Sequence, residues 1–577
     1  MSYLTDPMAR VKLLRVAAAV PLALLLLAAC GRDGPAKPSV ATGSAQPPSP
    51  GLSPAADPAG RAAQVGASLS DEDLAGQVLM PYAFGSSATD VDKDSAVGNQ
   101  GLAGVNTPAE MVAKFRLGGL ILVGFTPGDP TAQTNATSNV DNPAQVRALT
   151  AGLQDAAARL PGGVPLLIGT DQEFGTVTRV KSGVTALPAA MAFGAAGKPA
   201  RTEAAWRAAG TELAAMGINV DFAPVADTLG PQGNAVIGSR AYGGDAKANA
   251  AQVAAAVRGL QSAGVAAAVK HFPGHGHTTG DSHAQLPVVA QSRSAWESQD
   301  LPPFQAGVDA GVGMVMSGHL DVKALDPGVP ASFSHKVMTD VLRGRLKFTG
   351  VAITDAMNMS PAMKWPPGEA AVRALNAGND MLLMPPDIAK SRDGIVAGLR
   401  DGSLPRARLV EAVTRVLTLK FSRAGKPQPA LSTLNSPEHQ KAVLTADAAS
   451  VTVLRGKCSG PLVAGPVTVT ASGGRETART TLVRALQAAG VPVRSAGGTV
   501  VHLVGYGDQT TDLSPGAAVT VAMDTPYVLS AAKSPTLIAT YSSSALSLTA
   551  LANVLAGKAK APGHSPVPVS GLPSTAC

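Results

Sequence analysis

Short apolar runs alternate with amphipathic stretches from about residue 70 to residue 420, as strands do when helices separate them. Candidate strands cover residues 78–82, 119–123, 164–170, 219–223, 266–271, 314–319, 351–355 and 381–384. Helical patterns occupy the gaps at 142–159, 200–216 and 246–263. Eight strands alternating with helices over about 320 residues predict an α/β fold, a (β/α)8 TIM-type barrel rather than an open sheet. The first strand is the weakest member. Ser70-Asp71-Glu72-Asp73 starts a helix, and Leu74, Val78 and Leu79 keep helical spacing into residues 78–82, so an irregular or seven-stranded barrel is the alternative.

A change of texture at Ala424-Gly425-Lys426-Pro427 ends the barrel, placing it over residues 68–425 with a linker at 426–446. Beyond it, residues 451–454, 467–471, 500–504, 519–522 and 536–540 read as strands and 477–489 and 546–555 as helices. These predict a smaller α/β sandwich domain over residues 447–577. Its Gly473-Gly474-Arg475 lacks phosphate-loop spacing and reads as a turn.

The first 67 residues have no such pattern. Arg10, Lys12 and Arg15 precede an apolar segment, residues 16–29, too short to span a bilayer and suited to a signal peptide. It closes as Leu27-Ala28-Ala29-Cys30, which resembles a bacterial lipobox and predicts lipid attachment at Cys30. Residues 30–67, rich in Pro, Gly, Ala and Ser, read as a disordered tether. The expected protein is exported and held at the outer face of the cell membrane, and is a monomer. In that compartment Cys458 and Cys577 are expected to pair, tying the C-terminus to the start of the last domain. The balance of 47 basic against 40 acidic residues gives +7, and no basic run of five or more occurs, which disfavours nucleic acid as a partner.

Polar residues fall where a barrel enzyme needs them. Asp171, His271, His319 and Asp355 each close an apolar run, the end at which barrel enzymes place their chemistry. Lys270 to His283 holds four of the nine histidines with Asp281 and several glycines. Zinc is one reading, but the spacing fits no common helix-borne zinc pattern and flexible glycines leave the ligands unfixed, so no metal or cofactor is expected. Acid/base work suits the loop better: Asp281, two residues from His283, can fix one imidazole nitrogen and leave the other for a substrate.

Lys270-His271-Phe272-Pro273-Gly274-His275-Gly276, followed by Asp281-Ser282-His283, resembles the signature of bacterial β-N-acetylglucosaminidases of glycoside hydrolase family 3. Gly169-Thr170-Asp171-Gln172-Glu173, Arg179, Phe222-Ala223-Pro224-Val225-Ala226-Asp227, Ile237-Gly238-Ser239-Arg240 and Ile353-Thr354-Asp355-Ala356-Met357-Asn358-Met359 agree with it. The resemblance implies a retaining exo-glycosidase acting on terminal β-linked N-acetylglucosamine in cell-wall or chitin-like oligosaccharides. It implies Asp355 as nucleophile, His283 as acid/base assisted by Asp281, and Asp171, Arg179, Arg240, Lys270 and His271 as sugar ligands. Phe174 and Thr176 stand where many members carry glycine and arginine. A β-glucosidase or β-xylosidase, a phosphorylase, and a non-catalytic wall-binding lipoprotein are the alternatives. His275 and His277 are expected to shape the loop, and Met357 and Met359 to pack.

Overall fold

The computed structural model describes residues 57–577 apart from 125–130, 133–134, 232 and 279. The expected signal peptide, Cys30 and most of the expected tether lie outside the described residues.

The apolar runs fold as eight parallel strands: β1 (Leu79–Met80), β2 (Gly119–Leu122), β3 (Leu167–Thr170), β4 (Val220–Asp221), β5 (Ala266–Phe272), β6 (Met314–Ser317), β7 (Val351–Thr354) and β8 (Leu382–Leu383). β2 to β7 form one curled sheet in chain order, and β1 pairs with β8. Met381 N–H to Ala352 O and Thr354 N–H to Met381 O join β8 to β7, and Ile121 N–H to Pro81 O joins β1 to β2, so the ring closes.

Alternation within each strand sorts side chains between two cores. Ile121, Leu167, Val220, Ala266, Ala268, Met314, Met316, Val351 and Ile353 fill the barrel. Their neighbours Leu120, Leu122, Ile168, Ala267, Val269, Val315 and Ala352 pack outward under the helices. A fully buried Met or Ile of this kind contributes roughly 1.5–3 kcal/mol.

Two boundaries differ from the sequence reading. Residues 58–67, expected in the tether, lie in the helix Pro58–Ser68, capped by Asp57 with proline in its first turn; Ala62 and Gly66 are buried. Few large apolar residues mark that helix, which hides its periodicity. Likewise the second half of the linker at 426–446 belongs to the helix Pro437–Ser450, capped by Ser436.

The C-terminal domain is a five-stranded sheet of β9 (Thr452–Arg455), β10 (Val467–Ala471), β11 (Thr499–Val504), β12 (Val519–Ala522) and β13 (Thr536–Ala539) in the order β9-β13-β12-β11-β10, with β9 antiparallel. A disulfide joins Cys458 to Cys577 across a Cα separation of 5.3 Å. An apolar layer including Met191, Val225, Ile237 and Ala241 of the barrel and Leu454, Val504, Ala522 and Leu529 of the second domain joins the two.

Candidate active site

The inward parity of three strands, carried past the apolar core, delivers the polar floor. After Leu167 and Gly169 comes Asp171, after Ala266 and Ala268 comes Lys270, and after Val351 and Ile353 comes Asp355. All three line a pocket of about 530 Å³, counting its open mouth, together with Arg179, Arg240, His271 and His283. Parity would send His271 outward, yet the ladder between β5 and β6 slips between Val269 and Phe272, and both Lys270 and His271 face the pocket.

One wall is a charge network. Lys270 Nζ reaches Asp171 Oδ1 at 2.7 Å and Glu173 Oε1 at 2.6 Å. Arg240 grips Glu173 through two bonds, Nε to Oε2 at 2.7 Å and Nη2 to Oε1 at 2.9 Å. Arg179 Nη2 lies 3.6 Å from Asp171 Oδ2 and donates to Thr131 Oγ1 at 2.6 Å. Burial opposes the charge on Glu173, but Arg240 and Lys270 overcome it and hold its carboxyl well below the usual range. The network leaves cationic hydrogen-bond donors fixed in direction, which suits sugar hydroxyls.

Sequence alone does not single out Glu173, although it stands within the motif that carries Asp171. Nothing local marks it: its partners are 67 and 97 residues away. Glu173→Ala removes the carboxylate shared by two buried cations, leaving Lys270 with Asp171 alone, and is expected to lower the unfolding free energy by about 3 kcal/mol, measured by denaturant titration. Because folding lowers its pKa, the stabilisation is complete above the ordinary glutamate value of 4.5 and is lost as pH falls below it, so wild type and variant should converge in acid.

Asp355 sits at the end of β7, its Oδ1 accepting from the Ala356 amide at 2.8 Å. Burial works against its charge, and the surrounding histidines, His271 first, outweigh it and keep the carboxyl below the ordinary aspartate range. His319 lies buried beneath, bonded to Ser332 Oγ at 2.6 Å and to the Ala356 carbonyl at 3.1 Å. Burial lowers its pKa, and its bond to the Ala356 carbonyl props the turn after Asp355.

Across the pocket, His283 Nδ1 is 2.7 Å from Asp281 Oδ1, which also accepts the His283 amide at 2.9 Å. Burial raises the Asp281 pKa less than these two bonds lower it, so the carboxylate stays charged. With Nδ1 held, Nε2 is the nitrogen left to exchange a proton with a ligand.

Asp227, which from sequence reads as a loop cap as readily as a sugar ligand, organises the loop. Its carboxylate meets His271 Nδ1 at 2.8 Å and accepts the His275 amide at 2.7 Å. His275 lines the pocket between Ser282 at 3.1 Å and Thr278 at 2.8 Å, and burial, with His271 nearby, pushes its pKa down to about 4. His277 turns away to Asp300 at 2.8 Å. Met359 is buried and also lines the pocket, beyond the packing role expected of it.

Residues 89–419, more than half of the chain, match the Glycosyl hydrolase family 3 N terminal domain. The chain is 33% identical over 363 residues to beta-hexosaminidase A of Pseudoalteromonas piscicida, a match covering 58% of each and so under two thirds of that relative's length. It is 40% identical over 278 residues to a beta-hexosaminidase of Pseudomonas aeruginosa, covering 47% of this chain and 80% of that one. A solved glycoside hydrolase family 3 beta-N-acetylglucosaminidase from Paenibacillus sp. str. FPU-7 superposes with a TM-score of 0.75 at 31% identity over 87% of this chain and 99% of its own. Barrel and second domain are thus shared together, and the extent of the domain match decides the family: this chain belongs to glycosyl hydrolase family 3.

Proposed function

We propose that this protein is a retaining exo-glycosidase that releases terminal β-linked N-acetylglucosamine from cell-wall or chitin-like oligosaccharides. The observation that carries the reading is His283, paired with Asp281, lining the same pocket as an ionised Asp355. The carboxylate of Asp355 attacks the anomeric carbon while protonated His283 gives its Nε2 proton to the departing oxygen. Neutral His283 then takes a proton from water, whose oxygen displaces Asp355, so the configuration is retained. Asp281 holds the ring through Nδ1. Asp171, Arg179, Arg240, Lys270 and His271 hold the terminal sugar. The substrate class is supported by relatives whose names are beta-hexosaminidase and beta-N-acetylglucosaminidase.

Comparing aryl β-N-acetylglucosaminide with aryl β-glucoside, in water and in phosphate buffer, tests the substrate. Turnover of the acetamido sugar to the free sugar is expected. Turnover of the glucoside alone would replace the substrate class, a sugar 1-phosphate would replace hydrolysis, and turnover of neither would favour a binding protein.

The reading includes export and anchoring through a lipid on Cys30. Cys30→Ala is expected to move the protein from the membrane fraction to the soluble exported fraction, read by immunoblot. Unchanged membrane association would remove the anchor from the account.

A further inference from the structure

The pocket wall that carries Arg240 has the second domain behind it. Val236 and Arg240 line the pocket, and Arg240 Nη1 donates to the Val236 carbonyl at 3.1 Å. Ile237 lines the pocket too, while Gly238 and Ser239 do not. Ile237 joins the apolar layer shared by the two domains, and the Ser239 hydroxyl donates to the buried carboxylate of Asp524, which follows β12. Two close approaches flank that bond. A Cβ added to Gly233 would lie 2.8 Å from the Tyr527 ring, and one added to Gly238 would lie 3.5 Å from the Thr525 side chain. Ser239 and Arg240 are consecutive in the single turn Gly238–Arg240, so anchoring one fixes the backbone of the other. Arg240 in turn grips Glu173 with two bonds and lies 3.4 Å from His271 Nε2, a geometry that tolerates displacement of only about half an ångström.

We infer that Asp524 of the C-terminal domain is a positioning residue for sugar binding, fixing Arg240 through the Ser239 hydroxyl. The second domain therefore sets the affinity of a pocket whose chemistry lies wholly in the barrel. Burial raises the pKa of Asp524, and the Ser239 hydroxyl supplies one of the hydrogen bonds that offset this. The inference rests on the proposed role of the Arg240 network in holding the sugar, and the test separates the two.

The test measures KM and kcat on an aryl β-N-acetylglucosaminide, with melting temperature, for full-length Asp524→Ala, Asp524→Asn, Ser239→Ala, the Ser239→Ala/Asp524→Ala double variant, Leu529→Ala and Arg240→Lys. Asp524→Ala and Ser239→Ala should each raise KM about tenfold with kcat within about threefold, and the double variant should match the singles, because all three break one link. Asp524→Asn keeps an oxygen acceptor and should recover most of the loss. Leu529→Ala weakens the shared apolar layer but leaves both partners of the Ser239–Asp524 bond in place, so it should lower the melting temperature without raising KM. An unchanged KM in Asp524→Ala and Ser239→Ala alongside a raised KM in Arg240→Lys overturns the positioning role alone. An equal rise in Leu529→Ala overturns it in favour of general domain docking. An unchanged KM in Arg240→Lys removes the sugar-holding role of Arg240 and the inference with it.

Discussion

Asp355→Ala is expected to lower kcat on an aryl β-N-acetylglucosaminide by about 10⁴-fold or more while leaving the fold intact. The size follows from the chemistry. Without this carboxylate no covalent intermediate forms, and the oxocarbenium-like centre loses the anion that faces it from the end of β7. The intact fold follows from the contacts, since the hydrogen bond to the carboxylate is local, from the neighbouring amide. Azide, filling the vacated space, should restore turnover and yield an α-glycosyl azide, because it attacks from the face Asp355 occupied. The pH profile carries the same signature in the wild type. The carboxyl is held below the ordinary aspartate value of 3.8, so the acid limb of kcat/KM should fall below that value. Near-normal activity in the variant would remove Asp355 from the mechanism.

His283→Ala should cost about 10²- to 10⁴-fold, and the loss should depend on the leaving group. A glycosidic oxygen of high basicity needs the proton and will suffer most, whereas an acidic nitrophenol departs without it. The second half-reaction then becomes limiting, because no base activates water. Azide should again accelerate turnover, now with a β-glycosyl azide, since it attacks the intermediate from the side opposite Asp355. Opposite anomers from the two variants would assign the two roles independently. The same anomer from both would contradict the assignment.

The barrel is legible because a strand buried on both faces reads as an apolar run, and each of the eight candidate runs overlaps one barrel strand. Even β1, which sequence does not separate from a continuing helix, forms a two-residue strand paired with β8. Residues adjacent in the chain to these strand ends are equally legible: Asp171, Lys270, His271 and Asp355 reach one pocket, and Asp281 meets His283 two positions on. Contacts set by three-dimensional closure are not. Glu173 gains its meaning from Arg240 and Lys270, Asp227 from His271 and His275, and Ser239 from Asp524, 285 residues away. The helix Pro58–Ser68 is hidden for the opposite reason: alanine and glycine can pack closely without leaving an apolar stripe.

The most direct test of the mechanism is to trap the intermediate. Incubation with 5-fluoro-N-acetylglucosaminyl fluoride, followed by proteolysis and mass spectrometry, should give one sugar adduct per chain, on the peptide bearing Asp355, and none in Asp355→Ala. An adduct on another residue, or turnover through an oxazoline with no protein adduct, would contradict it.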